Sequence, residues 1–245
     1  MSADGFPQSN EKRPPTMHPL DNVIWQALTT RQTGFAESFD QARRFPREVT
    51  SLGGFHQPTD RGYESLAGLV GVGGTVALFL EKPYEPRPGW NLIADTPLLQ
   101  MVCENGGAPI PLRSGSASPI LELKPADSPE MVELAALTKP GPFGTRTHEL
   151  GTYIGIRYGG KLVAMTGERL KVPGYTEVSA VCTHPEHIGK GHAGTLMREV
   201  TRRIRERGEV PFLHVRQDNL RAIELYKRLG IAERKVFYLA VIKKT

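Results

Sequence analysis

The segment from Glu177 to Arg207 constrains this chain more than any other. It reads EVSAVCTHPEHIGKGHAGTLMREVTRRIRER. Glu177–Thr183 reads as a β-strand. A loop carrying Gly189 and Gly191 follows. From Gly191 to Arg207, Ala193, Leu196, Val200 and Ile204 recur at helical spacing, with Arg198, Arg202, Arg205 and Glu199 on the opposite face. A strand that turns through glycines into a helix exposes backbone amides, because no Cβ blocks their approach. The first N–H groups of the helix are unpaired and lie at the positive end of its dipole. Such a turn is a pocket for a phosphate or pyrophosphate, and Lys190 adds a mobile cation. It is equally an ordinary strand-to-helix connection, so the loop alone assigns no ligand.

The elements around this segment set the fold class. Ile120–Leu123 reads as a strand, and Asp127-Ser128-Pro129-Glu130 starts a helix that runs over Met131–Thr138 to Lys139-Pro140-Gly141. Tyr153–Tyr158 and Leu162–Leu170 flank Gly159-Gly160 as a hairpin. Phe212–Val215 is a short strand, Leu220–Leu229 a helix closed by Gly230, and Lys235–Ile242 the last strand. This order mixes hairpins with crossovers, which predicts an α/β fold with a mixed sheet.

The remainder of the 245 residues is less patterned. Residues 1–19 are polar and proline-rich, and disorder is expected there. Residues 20–103 are expected to form a smaller α/β region. In it Asp21–Leu28 reads as a short helix, and Leu66–Leu69, a glycine turn and Thr75–Leu80 read as a helix end, a turn and a buried strand. Residues 104–119, ENGGAPIPLRSGSASP, have the composition of a linker before a second domain over 120–245. Two cysteines make no disulfide framework or zinc spacing. No segment reaches the ~20 apolar residues that span a bilayer, and the N-terminus has no signal-peptide core. A cytoplasmic location without membrane association is therefore expected. Charge is uneven: residues 1–118 carry 10 basic and 12 acidic side chains, and residues 119–245 carry 21 and 14. The basic half fits a phosphorylated small ligand better than nucleic acid, since no pattern of stacking aromatics accompanies it.

Three nucleotide motifs compare with the loop. The Walker A pattern fails, because Lys190 is followed by Gly191. Gly189, Gly191 and Gly194 match GxGxxG literally, but six residues separate Thr183 at the strand end, itself included, from Gly189, and the acid due at the end of the next strand falls at Glu209, before that strand. An NAD(P)-binding oxidoreductase is thus a remote alternative. The third pattern fits. Ile188-Gly189-Lys190-Gly191-His192-Ala193 follows a strand and a His-Pro turn, and Asp218-Asn219, Ala222, Tyr226 and Gly230 follow a second strand. Both motifs, in this order, resemble the GNAT superfamily of acyl-CoA-dependent N-acyltransferases, most nearly the branch related to the C-terminal domain of glycine N-acyltransferases. The likeness covers about 119–245. Ile188 departs from it, standing where the family has Arg or Gln.

The resemblance implies a GNAT-like, mostly antiparallel mixed sheet flanked by helices, preceded by a first region expected to be a degenerate half of the same kind. It implies acetyl-CoA as donor, a primary amine as acceptor, no metal, and a monomer or homodimer. The backbone of Val181, Cys182 and Thr183 would pair with the pantetheine arm. The backbone of Ile188, Gly189, Lys190, Gly191, His192 and Ala193 would hold the pyrophosphate. Asn219 would bond the cofactor arm, and Tyr226, two helical turns away, would protonate the leaving thiolate. Glu177 is a candidate general base, acting through a water, or else an exposed charge at a strand end. Cys182 is expected to be a packing residue, and His184 a structural one. A CoA-binding or regulatory module that has lost catalysis is the alternative, motivated by Ile188.

Overall fold

The computed structural model describes residues 18–104 and 119–245. The tail and the proposed linker therefore lie almost wholly outside the described residues. In chain order the elements are α1 (Val23–Thr29), β1 (Glu37–Phe39), β2 (Ala42–Arg44), β3 (Gly53–Phe55), α2 (Asp60–Val70), β4 (Thr75–Leu80) and β5 (Trp90–Val102), and then β6 (Ile120–Leu123), α3 (Ser128–Thr138), β7 (Tyr153–Tyr158), β8 (Lys161–Val172), β9 (Tyr175–Thr183), α4 (His192–Glu206), β10 (Val210–Arg216), α5 (Leu220–Arg228) and β11 (Ala232–Lys244). Local chemistry accounts for the boundaries. Thr59 caps α2 by accepting from the Gly62 amide, and Gly71 ends it at φ 71°. Gly159 and Gly160, at φ 57° and 82°, supply the turn that pairs β7 with β8.

One eight-stranded sheet, ordered β4-β11-β5-β10-β9-β8-β7-β6, carries most of the chain, and β1-β2-β3 form a small second sheet. The main sheet is antiparallel except where β10 runs parallel to β9. The expected division near residue 104 does not separate two sheets. β5, from the first half, lies between β10 and β11 of the second, pairing Leu99 with both Val215 and Val236. The first half thus contributes β4 and β5 to the main sheet.

Successive residues of β10 point to opposite faces, and so divide the core. Leu213 and Val215 join Leu196, Val200, Ile204, Ile223 and Tyr226 under α4 and α5. Phe212 joins Leu20, Val23, Ile24, Ala27 and Leu28 of the α1 region, with Phe45, Val49 and Leu52, on the other face. A third cluster sets α2 over β4 and β11 through Leu66, Val70, Val76 and Ile242, and a fourth sets α3 over β7–β9 through Met131, Leu134 and Tyr153. Among the described residues no helix is long and apolar enough to cross a membrane.

Candidate active site

The parallel contact between β9 and β10 is brief. Val210 pairs with Tyr175, Pro211 with Thr176 and Phe212 with Glu177, and the two strands then part. Beyond that point β10 bonds to β5 and β9 bonds to β8, so the edge of β9 facing β10 is left open over its second half. The β8–β9 register slips between Met165 and Gly167, opposite Ala180, which sits at φ 52°. A non-glycine residue in the left-handed region costs on the order of 1–3 kcal/mol and is held there by its surroundings. Here it belongs to an irregularity in the strand that lines the opening.

A cleft of about 700 Å³ occupies the opening. It is lined by Val181, Cys182 and Thr183 of β9, by residues 187–195 of the loop and the start of α4, and by Asn219 and Tyr226. Gly189 and Gly191 have φ of 88° and 84°, and a Cβ at either would meet nothing within 4 Å. Backbone conformation, not crowding, is what calls for glycine at both. Gly191 precedes α4 with no side-chain cap, so the first amides of the helix have no side chain to satisfy them. Every residue expected at the site lines this cleft except Glu177.

Asn219 is committed at one end only. Its Oδ1 accepts from the Ala222 amide at 3.2 Å and caps α5, leaving the side-chain NH₂ as a donor. Burial raises the Tyr226 hydroxyl to about 12, so it stays protonated across neutral pH. Burial likewise pushes the Cys182 thiol up to about 11, too high for a thiolate nucleophile. His184 accepts from the Glu186 amide at 3.3 Å and shapes the turn before the loop.

Glu177 is not an exposed strand-end charge but a fully buried one. Its oxygens accept two bonds from Arg169, each of 2.8 Å, and Oε1 lies 2.7 Å from His214 Nδ1. Burial alone would raise its pKa, but the Arg169 charge and the bonds from Arg169 and His214 outweigh it and hold the group at about 2. A carboxylate so acidic, enclosed and outside the cleft is ill suited to take a proton from an ammonium. Gln100 bridges His214 Nε2 to the Leu20 carbonyl, and Arg234 joins Gln100 to Asp21. The network therefore ties the parting strands to the segment that leads into α1.

Four cations line the cleft: Lys190, Arg198, Arg221 and Arg228. Among the described residues no acidic one lines it, and none of the four cations has a carboxylate partner. Lys190 instead lies 3.2 Å from His187 Nδ1 and over the Tyr158 ring. Elsewhere on α4, Arg202 pairs with Glu199 and Glu206, Arg203 pairs with Glu199 and Glu122, and Arg205 donates to Cys103 Sγ at 2.8 Å. Arg198, Arg221 and Arg228 were not singled out by the loop motif. The signal available was helical spacing, since Gly191, Gly194 and Arg198 share one face of α4. Among the described residues no cluster of His, Cys, Asp and Glu is arranged to hold a metal ion.

Residues 153–239 match the model of the FR47-like protein family. A crystal structure from Novosphingobium aromaticivorans, of a protein assigned to the GNAT family of acetyltransferases, is 35% identical. It matches over 94% of this chain and 100% of its own, with a TM-score of 0.84. A GCN5-related N-acetyltransferase from Kribbella flavida shares the fold at 15% identity, over 91% of this chain and 96% of its own, with a TM-score of 0.59. None of the curated proteins matches the chain in sequence.

Proposed function

This chain belongs to the GNAT family of acetyltransferases, and from that premise we propose that it transfers an acetyl group from acetyl-CoA to the primary amine of a small molecule or peptide. The observation that carries the reading is the company the cleft keeps. An open strand edge, an uncapped helix start, a free amide donor, a protonated tyrosine and four unneutralised cations line one cavity. Coenzyme A suits it in charge, since its pyrophosphate and 3′-phosphate together carry about four negative charges.

Acetyl-CoA supplies the activated acetyl group as a thioester. In this reading the backbone of Val181, Cys182 and Thr183 receives the pantetheine arm as an added strand. The amides from Ile188 to Ala193 hold the pyrophosphate, with Lys190 beside them. The NH₂ of Asn219 bonds the arm while Oδ1 keeps its cap. Tyr226 donates its proton to the sulfur as the carbon–sulfur bond breaks. The acceptor amine gives its proton to water, because the carboxylate of Glu177 is held by Arg169. The first half of the chain, which adds β4 and β5 to the sheet and packs its α1 region on the face opposite α4 and α5, shapes the acceptor's approach.

One observation favours the alternative, a CoA-binding module without turnover. Ile188 is 49% exposed and offers no donor at the loop. Thiol release from acetyl-CoA across a panel of amines, amino acids and peptide N-termini separates the two. Turnover on at least one acceptor is expected. Tight CoA binding with no turnover on any of them would establish the alternative.

A further inference from the structure

Among the described residues seven buried polar side-chain atoms lack a hydrogen-bond partner, and three of them line the cleft: Thr183 Oγ1, His192 Nδ1 and Arg198 Nε. Leaving a buried donor unmet is costly, so a concentration of such atoms in one cavity marks groups kept for something that binds there. Arg198 is the charged one. It lies on the second turn of α4, and long helical side chains lean back toward the helix N-terminus. A Cβ built on Gly194 would sit 3.9 Å from Arg198 Nη1, so the guanidinium lies over that glycine, back toward Gly191 and the uncapped amides. At the loop itself, the position of Ile188 supplies no cation.

From this geometry we infer that Arg198 is the side-chain contact for the cofactor's pyrophosphate, taking from within α4 the place that Ile188 leaves without a charge. The inference rests on the reading of the cleft as a CoA site and deepens it. Arg198 is fit for the task because its planar fork can bond two phosphate oxygens at once. Arg202 and Arg203, about one turn further along the helix, are spent on glutamates, whereas Arg198 pairs with none among the described residues.

The test is calorimetric binding of CoA, dephospho-CoA and acetyl-pantetheine to the parent and to Arg198→Gln. The variant is expected to weaken CoA and dephospho-CoA equally, by roughly 10- to 100-fold, and to leave acetyl-pantetheine unchanged. Arg198→Lys, which keeps the charge and loses the fork, should fall between. Arg202→Gln, on the same helix but paired with Glu199 and Glu206, should bind all three like the parent. The unliganded Arg198→Gln protein should melt no lower than the parent, because the substitution removes an unmet buried donor. A loss confined to CoA would move Arg198 to the 3′-phosphate and overturn the inference, as would equal affinity for all donors or a lower melting temperature without ligand. If the parent binds neither CoA nor dephospho-CoA, the reading of the cleft falls instead. If it binds both and Arg198→Gln matches it, only the role of Arg198 falls.

Discussion

Replacing Glu177 by Gln distinguishes a structural carboxylate from a catalytic one. The substitution keeps the shape of the side chain and removes the charge that Arg169 faces. Arg169 is only 6% exposed, so it would be left as a buried, unpaired cation. Breaking a buried pair in this way costs on the order of 3–5 kcal/mol. The pKa leads to a similar figure, since holding the carboxyl at about 2 in place of 4.5 corresponds to about 3 kcal/mol. At this chain length that is a fall in melting temperature of roughly 6–20 °C. The sign with pH follows. The folded-state pKa lies below the ordinary one, so the stabilisation is complete above about pH 4.5 and is lost as pH falls toward 2. In Glu177→Gln that part of the acid dependence should vanish. Urea titrations of both proteins from pH 7 down to pH 3 would measure it, with kcat/KM taken well below either melting point. The expected result is a large stability loss with kcat/KM held within about threefold. Unchanged stability with a 10²- to 10⁴-fold fall in kcat would refute the reasoning and make Glu177 the base.

Three further outcomes follow from the site. Asn219→Ala should lower stability by about 1 kcal/mol through the lost cap and also weaken acetyl-CoA, whereas Asn219→Asp should keep the cap and weaken only the ligand, as read by melting and titration. Gly191→Ala has space for its methyl group but must adopt φ 84°, so about 1–2 kcal/mol of stability should be lost, together with most CoA affinity in calorimetry. Gly167→Ala would place its Cβ 2.3 Å from the Tyr153 ring, so denaturant melts should show a loss of several kcal/mol or no folded protein.

The strand–loop–helix segment was legible because each step has a local cause. The Gly159-Gly160 turn, the positive-φ glycines at 189 and 191 and the helical spacing from Ala193 to Ile204 all act within a few residues. The slot filled by β5 was not legible. Pro97 and Asp95 break the strand pattern, and Pro97 is tolerated because β10 ends its pairing at Leu98, where the missing N–H faces no ladder. Nothing local tells a strand of the first half that it will lie between two strands of the second. Glu177 was read as the first residue of its strand, whereas β9 begins at Tyr175, and its environment comes from Arg169 on β8 and His214 on β10. Arg198 read as one of several charged residues on the polar face of its helix, and only the packing of α4 beside α5 turns that position into the cleft.

The central claim, that this cleft performs acyl transfer with Tyr226 as the acid, is tested most directly by Tyr226→Phe. The substitution removes one hydroxyl from a side chain otherwise packed among Ile223, Ile231 and Val215. Measured side by side on the best amine, kcat should fall by at least ~100-fold, while the dissociation constant for acetyl-CoA stays within about twofold. Equal loss of turnover and binding would make Tyr226 a packing residue, and unchanged turnover would contradict the mechanism outright.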